Sequence, residues 1–417
     1  MLRPKLASRK PPPPRRFCTD GSVSDPHSDI LSRDSMKIRS RAYYSRRGKK
    51  GMPTNIESLP KELLFEILLR LPADHLYERA RLVCRWWCHI IHSHAFINAQ
   101  MHGATYGLLS PLDDNTLPLY VTATADGGIH TSELTYLSEM EVLATCNGLV
   151  LGLEDEGHHF RRLVIVNPAT KQSFHLPPLP TGVAYDLQYG FAYSAASLAY
   201  KVIRQASVRH YEPHAQEDYG LDVLTVGVDE SWRQVEVHHL PDHVRRRLLA
   251  KTPLTSEGFL HWGWGKCCAT MDVETEIITL SEAPYQYKER DYYYLSTGWC
   301  VSLLVACGDL SWEVWEMKAG TGEWRKALPN VDLRAEKCRI QQLAPEDDAV
   351  LEPLGWVKYP HVLAFYFDEY YYSRQWEHCI FYNLETHQLH SIELPRPYVI
   401  ASCFMAFSHK NTLIWLC

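Results

Sequence analysis

Residues 56–96 read IESLPKELLFEILLRLPADHLYERARLVCRWWCHIIHSHAF, and the rest of the chain is organised around them. Leu63, Leu64, Ile67, Leu68 and Leu71 recur at offsets of one, three and four, which lines apolar side chains along one helix face. Pro60 suits the first helical turn, where its missing N–H costs nothing, and Glu62 favours the positive end of the helix dipole. Pro72 ends the run. Leu76, Leu82, Val83, Trp87, Ile90 and Ile91 mark a second helical run. This stretch therefore predicts two or three short amphipathic helices, too small a unit to bury all its apolar surface without a staple or a partner.

These residues resemble a known domain. Leu59-Pro60 with Glu62-Leu63-Leu64, Ile67-Leu68, Leu71-Pro72, Leu76, Arg79, Val83-Cys84, Trp87 and Phe96 is similar in residue type and register to an F-box. The resemblance implies helices that pack against a Skp-type adaptor, which ties an F-box protein to a cullin scaffold and so to a ubiquitin-conjugating enzyme. It implies an adaptor face built from Leu59, Pro60, Leu63, Ile67, Leu68, Leu71, Pro72, Leu76, Val83, Cys84 and Trp87. The remainder of the chain must then supply the specificity.

The length of 417 residues suits two or three domains, and 46% hydrophobic content permits a sizeable core. No run of eighteen apolar residues marks a spanning helix, and the N-terminus lacks the apolar core of a secretory signal. The twelve cysteines are irregularly spaced with no CxxC pair, and many fall inside apolar runs, as reduced buried cysteines do in the cytosol or nucleus. The net charge of −6 conceals an asymmetry: residues 1–52 carry fourteen Lys or Arg against four Asp, leaving −16 on the rest. A mildly acidic body argues against nucleic acid as the main ligand.

Residues 1–52 are rich in Pro, Arg, Ser and Lys, with Pro11–Pro14 in a row, and read as a disordered solvated tail. The cluster Arg46, Arg47, Lys49, Lys50 also fits a nuclear-import signal, and the Arg/Ser bias an organelle transit peptide, although four Asp residues count against the latter. The expected location is the nucleus, the cytoplasm or both.

From about residue 104 the texture changes to short apolar runs between turn residues: LVIVN ending at Asn167, LDVLTVGVD from Leu221, GFLHWGWG from Gly258, CVSLLVACG from Cys300, VLAFYFD from Val362, CIFYNL from Cys379 and CFMAF from Cys403. DHVRRRLLA from Asp242 fits either a brief helix or a basic loop. The strands come with an internal repeat. Asn167-Pro168-Ala169-Thr170, Asp272-Val273-Glu274-Thr275 and Asn383-Leu384-Glu385-Thr386 each follow an apolar strand and precede another, as a hairpin turn built by an Asx side chain would. Lys318–Trp324 and Val228–Trp232 look like looser copies. Asn147-Gly148 and Glu257-Gly258 open further strands, with Leu354-Gly355-Trp356 as a weaker relative. Hairpins at this spacing suggest propeller blades, about six over the available length, with five to seven acceptable.

TCNGLVLG, VNPATKQSFHLPPLP and YGFAY followed by YKVIR also resemble the F-box-associated propeller-like domain of plant families. The expected fold class is therefore multidomain: a helical F-box at 56–98, then an all-β, β-propeller-like domain of about six blades at 104–417 that captures a target protein.

Catalytic signatures are absent from the sequence: no nucleophile elbow, Walker loop, Rossmann fingerprint or HExxH. Gly263-Trp264-Gly265-Lys266 has the flavour of a phosphate loop without its spacing. Cys84, Cys88 and His92 share a helix face, but three ligands from one helix cannot close a zinc site, and Cys84 reads better as core. The adjacent thiols Cys267-Cys268 read as packed or half-exposed. Neither a cofactor nor a metal is expected. For target recognition the candidates are Tyr292, Tyr293, Tyr294, Tyr370, Tyr371, Tyr372 and Trp376, because adjacent strand residues cannot all point inward. The reading that results is a recruiting subunit of a Skp-cullin-F-box ubiquitin ligase, without catalysis of its own. A propeller enzyme or carbohydrate-binding module, or an F-box protein outside a cullin ligase, remains the alternative.

Overall fold

The computed structural model describes residues 59–417 except for 112–116, 139, 156–160, 180–187, 209–217, 285–290, 319, 328–329, 345–349, 369–377, 394–405 and 415–417. Residues 1–58 lie outside the description and fall in a separate unit.

Proline sets two starts in the helical part. Pro60 (φ −54°, ψ 145°) precedes helix α1, Lys61–Leu69, and Pro72 (φ −58°, ψ 150°) precedes α2, Ala73–Glu78. Both carry a φ already suited to the helix. Cys84 caps α3, Arg85–Ile91, by accepting the Trp87 N–H on its Sγ at 3.5 Å, and Ser93 caps α4, His94–Gly103, by accepting that of Phe96 at 3.3 Å. The unit thus runs to Gly103, five residues past the expected edge. Leu64, Leu68, Leu76, Ile90, Ile91 and Phe96 form its core, and the Phe65 ring meets Phe96 edge-on at 5.1 Å.

Six antiparallel sheets follow, five of four strands and one of five. Their innermost strands are Phe407–His409, Met140–Cys146, Tyr189–Ser194, Leu254–Ser256, Tyr292–Ser296 and Val350–Lys358. Each touches the next, and the sixth returns to the first. The result is a six-bladed β-propeller. Because each sheet is covered on both faces by its neighbours, its central strands are apolar without alternation; Val301, Ser302, Leu303, Leu304 and Val305 are all fully buried. DHVRRRLLA is a helix, α5 (Asp242–Ala250), whose Val244 and Leu248 pack one turn apart into the core of blades 3 and 4. A short helix without a sequence expectation, α6 (Lys337–Leu343), inserts Ile340 between blades 5 and 6.

The repeated turns are as their chemistry dictates. Asn167 Oδ1 accepts the N–H groups of Ala169 (2.9 Å) and Thr170 (3.2 Å), Asp272 Oδ1 those of Glu274 and Thr275 (2.8 and 3.0 Å), and Asn383 Oδ1 those of Glu385 and Thr386 (3.0 and 3.1 Å). The fifth residue of each, Lys171, Glu276 or His387, takes the left-handed conformation (φ 58°, 61° and 54°). The looser copies use other bonds: Asp229 accepts the Thr225 N–H, and Thr321 caps the turn after Lys318. Leu354-Gly355-Trp356 is not a turn; it lies within the strand Val350–Lys358. Gly355 is needed there because a Cβ would come 2.5 Å from the Leu108 side chain of blade 1.

The ring is closed by the segment 406–414. Phe407–His409 pairs with Gly107–Ser110, and Thr145 donates to the Ser408 carbonyl at 2.7 Å. The chain then crosses blade 2, where Thr412 Oγ1 donates to the Asn147 carbonyl at 2.7 Å and Asn167 Nδ2 to the carbonyls of Thr412 and Ile414 at 3.0 and 2.8 Å. Finally it meets α4: Gln100 donates to the Asn411 carbonyl at 3.2 Å and accepts the Leu413 N–H at 3.1 Å. Leu413 and the turn residue Ala169 enter the core of the helical unit, so the unit does find part of its partner within the chain.

A differential effect follows for the repeated turns. Asn167→Ala removes both the turn bonds and the two bonds to the segment, whereas Asn383→Ala removes the turn bonds alone. At about 1 kcal/mol net per bond, Asn167→Ala is expected to lower stability by about 3–4 kcal/mol and Asn383→Ala by about 1–2. Parallel denaturant titrations check the ranking; equal losses would show that the segment contributes nothing through Asn167.

Candidate functional site

Large apolar side chains that stay in solvent concentrate on the helical unit. Leu63 (53% exposed) and Ile67 (44%) stand one turn apart on α1, and Leu82 (69%), Val83 (59%) and Trp86 (36%) follow at the junction into α3. Leu64 and Leu68 face the opposite way and are fully buried, as is Leu76 on α2. Trp87, Leu71 and Leu59 are half-buried, while Pro60, Pro72 and Cys84 are exposed. An amphipathic helix pair that buries one apolar side in the chain and leaves a second apolar side in water is built to meet another protein.

A family model of the F-box-like domain matches residues 56–97, and one of the F-box associated beta propeller domain matches residues 118–293. The chain is a plant-type F-box protein with an associated propeller domain. The "F-box protein At3g07870" of Arabidopsis thaliana is 28% identical over 165 residues, 37% of this chain and 39% of that protein. The "F-box/kelch-repeat protein At3g23880" of the same plant is 26% identical over 305 residues, 65% of this chain and 79% of that protein. The chain thus spans well under half of the first relative. Among solved structures, Kluyveromyces lactis Hsv2 overlaps 70% of this chain and 99% of its own at 10% identity, with a TM-score of 0.27, and the architecture rests on the strand register rather than on that overlay.

On the F-box the sequence expectation needs three corrections. Leu68 and Leu76 belong to the intrachain core and present nothing to a partner. Leu82, absent from the expected face, is its most exposed apolar member. Cys84 is no core residue either; it is exposed and serves as the α3 cap. Cys88 Sγ lies 3.5 Å from His92 Nδ1, and among the described residues no three His, Cys, Asp or Glu side chains gather as metal ligands.

The tyrosine triplet lies between blades. Tyr293 Oη donates to Glu352 of blade 6 at 3.1 Å, and its ring joins the core shared with that blade. Tyr294 turns to blade 4, where its Oη donates to the carbonyls of Gly265 and Cys267 at 3.0 and 3.1 Å. Tyr292 packs on the same side as Tyr294. Burial pushes the Tyr294 hydroxyl well above its ordinary pKa. Alternation along the strand sends neighbours to opposite faces, but in a propeller both faces are interior, which is why the triplet is taken up in packing. Tyr370, Tyr371, Tyr372 and Trp376 lie outside the described residues.

Gly263-Trp264-Gly265 receives the same ring. A Cβ on Gly263 would sit 2.1 Å from Tyr294, so the glycine makes the slot between blades 4 and 5. Gly263→Ala is expected to cost about 1–3 kcal/mol through overpacking, and to be relieved in the double variant with Tyr294→Ala. Thermal melts of the four proteins measure that coupling; additive losses would remove the steric account. Next to this slot Cys268 is fully buried and Cys267 half-buried. Burial pushes the Cys268 thiol up to about 12. His261 joins Ser256 Oγ (2.7 Å) and Thr270 Oγ1 (3.0 Å) inside blade 4, and all three are at least 93% buried. Desolvation lowers the His261 pKa to about 3, so it stays neutral as an internal brace.

Proposed function

We propose that the chain is the substrate-recognition subunit of a Skp-cullin-F-box ubiquitin ligase. The observation that carries the reading is the solvent exposure of Leu63 and Ile67 on α1 and of Leu82, Val83 and Trp86 at the junction into α3, on an F-box whose core is already filled. That side buries against a Skp-type adaptor, the adaptor engages a cullin, and the propeller holds a target protein near a charged ubiquitin-conjugating enzyme. The chain performs no bond chemistry; holding target and enzyme together raises their effective concentration. The segment 406–414 supports this role, because it fixes the F-box to blades 1 and 2 and so gives a held target a defined position. The basic cluster at Arg46–Lys50 supports residence in the nucleus as well as the cytoplasm.

The test is co-expression of the full chain with a Skp-type adaptor, followed by size-exclusion chromatography. A stoichiometric complex that further recruits a cullin supports the reading. A well-folded chain that elutes alone overturns it, and a complex that excludes cullin leaves an F-box protein acting outside a ligase.

A further inference from the structure

At the edge of the ring where the innermost strands turn outward, side chains from several blades converge. Lys410, next after the closing strand, lays its ammonium over the Tyr106 ring at 4.8 Å from the centroid. Tyr106 fills the space above Gly298, donates to its carbonyl at 3.3 Å and meets Trp299 of blade 5 edge-on at 5.9 Å. Trp299 in turn meets Tyr359 of blade 6 at 6.0 Å. Glu257 of blade 4 is close enough for its charge to act on Lys410, and the Cys146 thiol of blade 2, which burial keeps neutral, lies nearby.

Lys410 is the unusual member. Only 5% of it is exposed, yet among the described residues its Nζ makes no hydrogen bond or ion pair. Lysines are rarely buried unless paired, because an ammonium out of water needs acceptors. The ring of Tyr106 supplies part of that need through its negative face. Trp299, on the far side of the Tyr106 contact, leaves 45% of its surface in solvent.

We propose that this inner rim binds a small carboxylate carried on a flat ring, the carboxylate on Lys410 and the ring against Trp299. A single negative charge suits the site better than two, because the charge of Glu257 also acts there and repels a dianion more strongly. At 5% exposure Lys410 is set too deep for a folded protein surface to reach, which selects a small ligand. Binding here is independent of the adaptor face on the F-box.

The probes are benzoate, phenyl phosphate and inorganic phosphate, titrated calorimetrically into the full chain. Benzoate is expected to bind saturably and more tightly than phenyl phosphate, and Lys410→Met to weaken it at least tenfold. Trp299→Ala, a change at a half-exposed position, is expected to weaken benzoate while leaving any binding of inorganic phosphate unchanged. Absence of saturable benzoate binding overturns the proposal. So does undiminished binding by either variant, and Trp299→Ala keeps the test open should Lys410→Met fold poorly.

Discussion

Under the proposed function, Ile67→Asp is expected to leave the protein folded and to remove capture of a Skp-type adaptor. Ile67 is 44% exposed, so a carboxylate there stays hydrated in the free chain. In the complex it must be buried against an apolar surface, which forfeits about 1.5–3 kcal/mol of side-chain burial and adds the desolvation of an unpaired charge. At about 1.4 kcal/mol per tenfold, the loss in affinity is at least ~100-fold. Val83→Asp, at 59% exposure, is expected to behave alike. Leu68→Asp differs in kind: it places a carboxylate in the fully buried F-box core and unfolds the helices, so any loss of binding comes with a loss of helical signal. Pull-downs paired with circular dichroism separate the two outcomes. Adaptor retained by Ile67→Asp at wild-type strength assigns the interface elsewhere.

Removing residues 406–417 is expected to loosen both ends of the molecule at once. The deletion takes away the closing strand on Gly107–Ser110, four bonds to blade 2 and two to Gln100, and the Leu413 side chain from the F-box core. At about 1 kcal/mol per bond and about 2 for the leucine, the loss exceeds ~5 kcal/mol. A fall in melting temperature of ~10 °C or more follows, with new protease cleavage in α4. A melt within 2 °C of the full chain would mean that the six sheets hold their ring without the strand.

What the sequence disclosed was local in origin. The Asx turns at Asn167, Asp272 and Asn383 are each decided within five residues, and their side-chain bonds are found where the residue types place them. The blade count follows from the length of the β region, at about 45–50 residues per blade. Orientation was harder to read, because α1 is apolar nearly all round, with Leu63, Leu64, Phe65, Ile67, Leu68 and Leu69 in one nine-residue helix. Its period marks a helix without saying which side faces the chain, hence the inversion of Leu68. The tyrosine triplet was hard to place for a related reason: alternation signals an outer face only where a sheet has one, and Tyr292, Tyr293 and Tyr294 are half-buried between blades. The anchoring of α4 is not legible at all, since its partners are 311 and 313 residues away.

Those separations bear on biosynthesis. The F-box helices emerge from the ribosome before the propeller, but the residues that complete their core and shut the ring come only after the other five blades and the remaining three strands of the first have been made. During translation the nascent helices therefore display Leu64, Leu68 and Phe96 less fully covered, beside an open sheet edge on Gly107–Ser110. A chain interrupted before residue 406 would offer that apolar surface and that open edge to chaperones; under the proposed function, unfinished copies are then poorly suited to occupy adaptor and sequester targets.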